Sequence, residues 1–457
     1  MAQKKPSAWR YLKHMWNSED IRQKLLITLG LLAIYRLASN VPAPGVDPAA
    51  LAAFTSGAAS TGGNFLGFLD LLSGGTISRF SLLSMGVYPY ITAQIIIQLL
   101  IPIIPALQRR MEDDPREGRK WMEKWTYYLA VPMAALSAIG QINIFNSLAN
   151  QQIVKFGFTG DLIIPSLTTL LAMTAGTMFA IWLGELISEY GIRGQGLSLI
   201  IFAGIVARMP QNLYGLLSDK TYGVLLLVII LVIMLITIFA IVYVQQGRRN
   251  VPVMYPGRRM GNRMSMPVKG TLPLMVNMAG MIPLIFASAI LQFPVILASY
   301  FNRSETIWVK SAADWTQANL GGNGSLYWIL YFFMVVIFTF FYTTVLFDQQ
   351  NYGENLKRVG AQIPGVNRGA PTQKYLKRVQ SLITLPGALF LGLVAILPYL
   401  VGLALQGFGI ASTSSSSSLL LVSSSGLLIV VGVVRDTFMN IEAELKLHGY
   451  QDTLLVK

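Results

Sequence analysis

The chain contains no cysteine and only two histidines, His14 and His448. That excludes disulfides and thiolate metal sites, and two histidines are too few to make a histidine-based metal site expected. Charge is scarce as well: Asp, Glu, Lys and Arg make up 12% of 457 residues, about half the share usual in a soluble domain. No nucleophile elbow, phosphate-binding loop or paired-histidine helix occurs, so the chain does not read as an enzyme, and no cofactor is expected. The cluster Glu112-Asp113-Asp114 lies among arginines and reads as a solvated turn, not a catalytic dyad. Inside the apolar runs no Asp, Glu, Lys or His stands where a proton relay would need one. Arg36, Glu185 and Glu189 fall near span ends, where each can snorkel to an interface. Sodium coupling through backbone carbonyls stays open.

What the chain has is hydrophobic length. Apolar residues reach 53%, and runs long enough to cross a bilayer recur at 25–41, 84–105, 125–146, 161–187, 195–213, 222–244, 271–299, 326–347, 379–405 and 419–435. A span needs about 20 apolar residues. The expected fold is therefore an all-α integral membrane protein with ten transmembrane helices. A basic segment, 1–24, precedes them and does not read as a removable leader; a tail, 436–457, follows.

The net charge of +14 is unevenly placed. The N-terminal segment, the loops 106–124, 245–270 and 348–378, and the tail carry most of the cations; the alternate connections hold few. By the positive-inside rule both termini are cytoplasmic. Two of these loops, 245–270 and 348–378, exceed the usual helix connection of about 2–8 residues. They carry Arg248, Arg249, Arg258, Arg259, Arg263, Lys357, Arg358 and Arg368 among Gly, Pro and Tyr. Topology signal plus attraction to lipid head groups is the plainer reading. A docking surface for an anionic partner is the sharper one.

Ten spans divide into an N-terminal half, 25–213, and a C-terminal half, 214–435. Five spans in each half give the halves opposite orientations. Spans two and seven occupy corresponding places, and each holds a proline two residues before an isoleucine: Pro89 and Ile91, Pro283 and Ile285. Matched irregular spans point to a central pathway in inverted-repeat membrane proteins. A short apolar piece precedes span two: Asn64, Phe65, Leu66, Phe68, Leu69, Leu71 and Leu72, ending at Gly74-Gly75. It is too short to cross, and broken backbone at membrane depth survives only where protein or water satisfies it. A re-entrant half-helix lining a cavity fits. Ile91 and Ile95, and Ile201 and Ile205, are pairs four apart, each sharing a helix face. Lipid contact or packing is the plain account of them; an aliphatic constriction that gates by dewetting is the alternative.

Several stretches resemble the SecY family of bacterial protein-conducting channels, in order along nearly the whole chain. They are Phe68-Leu69-Asp70-Leu71-Leu72-Ser73-Gly74-Gly75, Met85-Gly86-Val87-Tyr88-Pro89-Tyr90-Ile91, Ile95-Ile96-Ile97-Gln98-Leu99-Leu100, Ser198 to Ile205, Asn277-Met278-Ala279-Gly280-Met281-Ile282-Pro283 and Leu427 to Val431. The resemblance implies a pore ring of Ile91, Ile95, Ile201, Ile205, Ile285 and Ile429, with the 64–73 half-helix as a plug closing it from outside. It implies a lateral gate between spans two and three on one side and seven and eight on the other. It implies that secretory preproteins bearing signal sequences are translocated and that transmembrane segments are released sideways into membrane lipids. The implied partners are SecE and SecG, the motor ATPase SecA, the ribosome, and accessory subunits such as SecD, SecF and YidC, all at the bacterial cytoplasmic membrane. One departure stands out. Where the family has Pro-Gly-Ile-Arg-Pro-Gly, this chain has Pro364-Gly365-Val366-Asn367-Arg368-Gly369. The serine-rich stretch 411–425 is also atypical.

Two rivals remain on the residues alone. A secondary transporter with inverted repeats would need a polar or ion-binding centre beside the half-helix. A basic-loop scaffold without a pore would not need the half-helix at all.

Overall fold

A computed structural model describes residues 18–51, 80–148, 153–154, 156–157, 160–217, 223–256, 259–260, 263–264, 268–301, 306–320, 325–407 and 426–441. The half-helix expected at 64–73, Arg258 and the serine-rich stretch lie outside the described residues. The helices are α1 (Glu19–Ala38), α2 (Tyr88–Ile103), α3 (Pro105–Asp113), α4 (Pro115–Leu148), α5 (Ile163–Tyr190), α6 (Gly196–Leu217) and α7 (Gly223–Gln246). Four strands follow, β1 (Arg248–Tyr255), β2 (Arg259–Met260), β3 (Arg263–Met264) and β4 (Val268–Met275). Then come α8 (Ile282–Phe301), α9 (Ile307–Leu320), α10 (Ser325–Gln350), α11 (Tyr352–Arg358), α12 (Ala370–Gly407) and a last helix, α13, over 426–441.

Local chemistry sets the helix ends. Glu19 and Asp20 open α1 and Arg36 closes it, each favourable to the helix dipole. The Ser39 hydroxyl and the Asn40 amide both donate to the Arg36 carbonyl, which the helix leaves without a partner. Asp114 caps α4: its Oδ1 accepts from the backbone N–H of Arg116 at 3.0 Å and of Glu117 at 3.2 Å, ahead of Pro115 at the helix start. The acidic cluster thus contributes a helix cap. Inside the spans Thr174, Thr177, Thr237, Thr339 and Thr384 return their hydroxyls to carbonyls one turn back, so these polar groups ask nothing of lipid.

Among the described residues four helical stretches are long and apolar enough to cross a membrane: Ile163–Tyr190, Leu227–Gln246, Ser325–Arg358 and Ala370–Ala404. A fifth arises if Tyr88–Ile101 and Pro105–Met111, bent by 95°, form one span. The chain is thus a multi-pass, predominantly helical membrane protein. Two expected spans open clearly later than their apolar runs. The run 271–299 becomes a helix only at Ile282, because 268–275 pairs as β4. The run 84–105 begins at Tyr88, with Pro89 in the first turn, where a missing N–H costs nothing; the proline opens this helix and does not interrupt it.

Two compact units divide the chain. One holds 1–93, 126–227 and 429–457; the other holds 94–125 and 228–428. In the first, α1, α5 and α6 pack on one another. Glycines permit this. A Cβ on Gly176 would land on the Leu82 carbonyl, and one on Gly196 on the Gly184 carbonyl, the close backbone approach that small residues allow in membrane bundles. A core of Phe80, Met85, Ile142, Phe145, Ile153 and Met173 fills this unit, with Phe80 and Phe145 edge to face at 5.2 Å. In the second unit α10 packs along α12 and against α8, and β1 pairs antiparallel with β4 in register from Arg248↔Met275 to Tyr255↔Val268.

Candidate functional site

The six expected ring positions sit on four helices. Ile91 and Ile95 are one turn apart on α2, and Ile201 and Ile205 one turn apart on α6. Ile285 stands in the first turn of α8, and Ile429 on α13. Ile91, Ile201, Ile205 and Ile429 belong to the first unit, Ile95 and Ile285 to the second. Five of the six are at most 5% exposed, and Ile91 is half-buried. Lipid contact is therefore not what these five do.

The heads of α2 and α8 are built alike. Gly86-Val87-Tyr88-Pro89-Tyr90-Ile91 and Gly280-Met281-Ile282-Pro283-Leu284-Ile285 share glycine, proline and isoleucine at the same spacing. Both glycines are left-handed, with φ of +53° and +63°, a conformation glycine adopts without strain. Both prolines occupy the second helical position, and both isoleucines the fourth. Asn277 ties the second head: its Oδ1 accepts from the Gly280 N–H at 2.9 Å and its Nδ2 donates to the Gly280 carbonyl at 3.2 Å. The same turn thus aims an isoleucine at the start of a helix in each half. The sequence pairing of Pro–x–Ile contained this signal; the glycine three residues before each proline extends it.

The two long basic loops form one body. Val251 and Val253 of β1 and Leu274 of β4 bury themselves with Phe347, Ala361, Ile363 and Leu376, and Leu356 and Val366 pack around them. The backbones of Met254 and Gln362 exchange both hydrogen bonds, at 2.8 and 2.9 Å, joining the hairpin to the second loop. Sequence reading found two separate loops; this pairing, across more than 100 residues, leaves no local pattern.

The departing motif has a clear conformation. Val366 N–H donates to the Ile363 carbonyl at 3.1 Å, with Pro364 and Gly365 between them and Gly365 at φ +79°. That is a turn with proline second and left-handed glycine third, the type II pattern. Asn367 and Arg368 follow it, both exposed. The Asn367 carbonyl accepts from Thr372 at 2.7 Å. The arginine therefore stands beyond the turn and not within it.

Cations line this body. Arg248, Arg249, Lys357, Arg358 and Arg368 are all exposed; Arg259 and Arg263 sit on β2 and β3. Lys377 pairs with Asp348 at 2.7 Å and Lys357 with Glu354 at 3.8 Å, contacts both half in water and worth little to stability. A body that presents exposed cations in this way can hold an anionic or phosphate-rich surface. Among the described residues no cluster of His, Cys, Asp or Glu could hold a metal ion.

Comparison with known proteins places these features. The family profile described as SecY matches residues 81–438. A protein translocase subunit SecY of Aquifex aeolicus is 37% identical over 446 residues, covering 96% of this chain and 98% of that one. Its counterpart in Streptomyces scabiei is 35% identical with the same coverage, and that of Synechococcus elongatus 35% identical, covering 98% of each chain. Among solved structures, one described as a protein conducting channel superposes with a TM-score of 0.59 over 93% of this chain and 92% of its own, at 18% identity. Another, from work on how a plug domain stabilises the closed state of a translocation channel, gives 0.59 at 17% identity.

Proposed function

The chain belongs to the SecY family, and from that membership we propose that it is a passive protein-conducting channel, translocating secretory proteins and releasing transmembrane segments sideways into the bilayer. The observation that carries this reading is the burial of five of the six aliphatic ring positions in a membrane protein that turns many other apolar side chains outward. A ring of isoleucines yields to an extended chain of any sequence and closes around it without hydrogen-bonding to it. It also stays dry when empty, which blocks ions. Sideways release needs a seam and a partition preference, a few tenths of a kcal/mol for each central Leu or Ile. The channel contributes no driving energy; a partner does.

The ring is Ile91, Ile95, Ile201, Ile205, Ile285 and Ile429, and residues 64–73 act as its plug. The setting is the bacterial cytoplasmic membrane, with ten spans in two inverted halves and both termini inside. The body formed by the basic loops docks SecA or the ribosome, whose acidic or phosphate-rich surfaces suit Arg248, Arg249, Arg258, Arg259, Arg263, Lys357, Arg358 and Arg368. SecE and SecG complete the channel, with SecD, SecF and YidC as accessory subunits.

The absence of cysteine supplies the test. Ile91→Cys adds one thiol to an otherwise thiol-free chain. Assembled with its partner subunits, it should form a disulfide with a stalled secretory precursor carrying one mid-chain cysteine, and only when the precursor has a signal sequence. No bond at Ile91, with one at a lipid-facing control, removes the ring. Ile285→Asn gives a second readout: it should relax signal-sequence selection and raise ion leak several-fold. A transporter would instead lose solute uptake with secretion unchanged.

A further inference from the structure

Between the end of α8 at Phe301 and the start of α10 at Ser325 stands α9, a helix of 14 residues. It packs against both α8 and α10, and the one residue it buries fully is Ala313. Its large side chains point the other way. Ile307 is 86% exposed, Trp308 79% and Trp315 58%. The two tryptophans are seven positions apart, about two turns, and so share a face. Ser311, between them on that face, is exposed as well. Lys310 and Asp314 flank it and cancel in charge.

A helix held by an alanine that turns two indoles outward makes little sense in water. Removing apolar side chains of this size from water is favourable. Chain order says what covers it. β4 leads into α8, and α10 returns to the basic body, so α9 sits at the opposite end of these two helices. Five positions, 302–306, separate it from α8, and that many residues reach at most about 18 Å. The neighbouring helices already turn apolar residues outward at Phe293, Leu297 and Phe301, and at Ile329 and Phe333. Tryptophan is enriched at the head-group level of membranes, where one end of the ring is dry and the other wet.

We propose that α9 is an interfacial anchor whose Trp308–Trp315 face lies in the lipid head-group layer, on the side of the membrane away from the basic body. The ligand is bilayer lipid, held by the indoles rather than by charge. The inference rests on α8 and α10 crossing the membrane and is independent of the pore ring.

The test uses the protein with its partner subunits in phosphatidylcholine vesicles and in mixed phosphatidylcholine–phosphatidylglycerol vesicles. Ser311→Cys, labelled with nitrobenzoxadiazole, reports on the tryptophan face. Lipids bearing a nitroxide at a shallow acyl position should quench it at least twofold, equally in both vesicles, while aqueous iodide quenches it little. Trp308→Ala together with Trp315→Ala should abolish most of the nitroxide effect. Quenching by iodide alone puts the face in water and overturns the proposal. Protection from both quenchers puts a protein subunit there and overturns it too. Dependence on phosphatidylglycerol contradicts binding through indoles. Failure of the Ile91→Cys disulfide would leave these outcomes unchanged, so the two readings fail separately.

Discussion

Two helices apolar enough to cross a membrane do opposite work. Over their most apolar windows α7 has a mean hydropathy of 3.3 and buries 17%, whereas α5 has 1.6 and buries 44%. The more hydrophobic helix is the less buried one. In lipid no hydrophobic force drives helices together, so the inner helix is chosen for close approach and hydrogen bonding. Accordingly α5 buries Ser166, Thr169, Gly176, Thr177, Ala180 and Gly184. By contrast α7 turns Leu235, Ile236, Phe239 and Tyr243 outward. Inside a bilayer, small and weakly polar residues mark the interior.

The largest expected effect strikes the close approach. Gly176→Leu places a Cβ on the Leu82 carbonyl, backbone that cannot swing aside. Overpacking of this kind costs about 3 kcal/mol, which should appear as a clear loss of thermal stability in detergent. Stability within error of the parent would mean that α5 is not pinned where its glycines put it.

A smaller effect separates two threonines on the same helix. The Thr169 hydroxyl lies 2.8 Å from the Pro44 carbonyl and 2.9 Å from that of Pro165, so one of its contacts is tertiary. Among the described residues Thr174 bonds only to Leu170, one turn back. Thr169→Val should cost about 1 kcal/mol through the lost tertiary contact, and Thr174→Val close to nothing. Denaturant titration of the pair decides it. Equal losses would show that local back-bonding, not packing, is what these hydroxyls supply.

Most helix positions were legible in the sequence, because apolar length is a strong signal and α5, α6, α7, α10 and α12 each fall on an expected run. Burial was not. An isoleucine at 205, fully buried, and one at 236, 64% exposed, are the same letter in similar surroundings. The ring residues came from resemblance, and only the Pro–x–Ile spacing hinted at their shared setting. The hairpin was hidden because Leu272, Leu274 and Val276 extend the apolar run of α8 backward and mimic a longer span. Its junction with the second loop joins Met254 to Gln362, a contact made by folding alone. In α9, 14 residues with two cancelling charges were too short and too mixed to stand out from the loop around them.

The smallest expected effect is the most informative about what surrounds the molecule. Ile236→Ala on α7 removes a side chain that is exposed in the folded chain and equally lipid-bound when the helices separate. Its stability change should stay within about 0.5 kcal/mol, as for substitutions that touch nothing. The comparison should be run on the chain alone and on the chain with its partner subunits, by the same unfolding measurement in bicelles. If the substitution stays silent in both, lipid is the only neighbour of that face. If it becomes costly only with the partners present, by a kcal/mol or more, then a subunit packs there. The high hydropathy of α7 would then describe an interface still uncovered in the single chain, and the contrast with α5 would be one of order of assembly rather than of solvent.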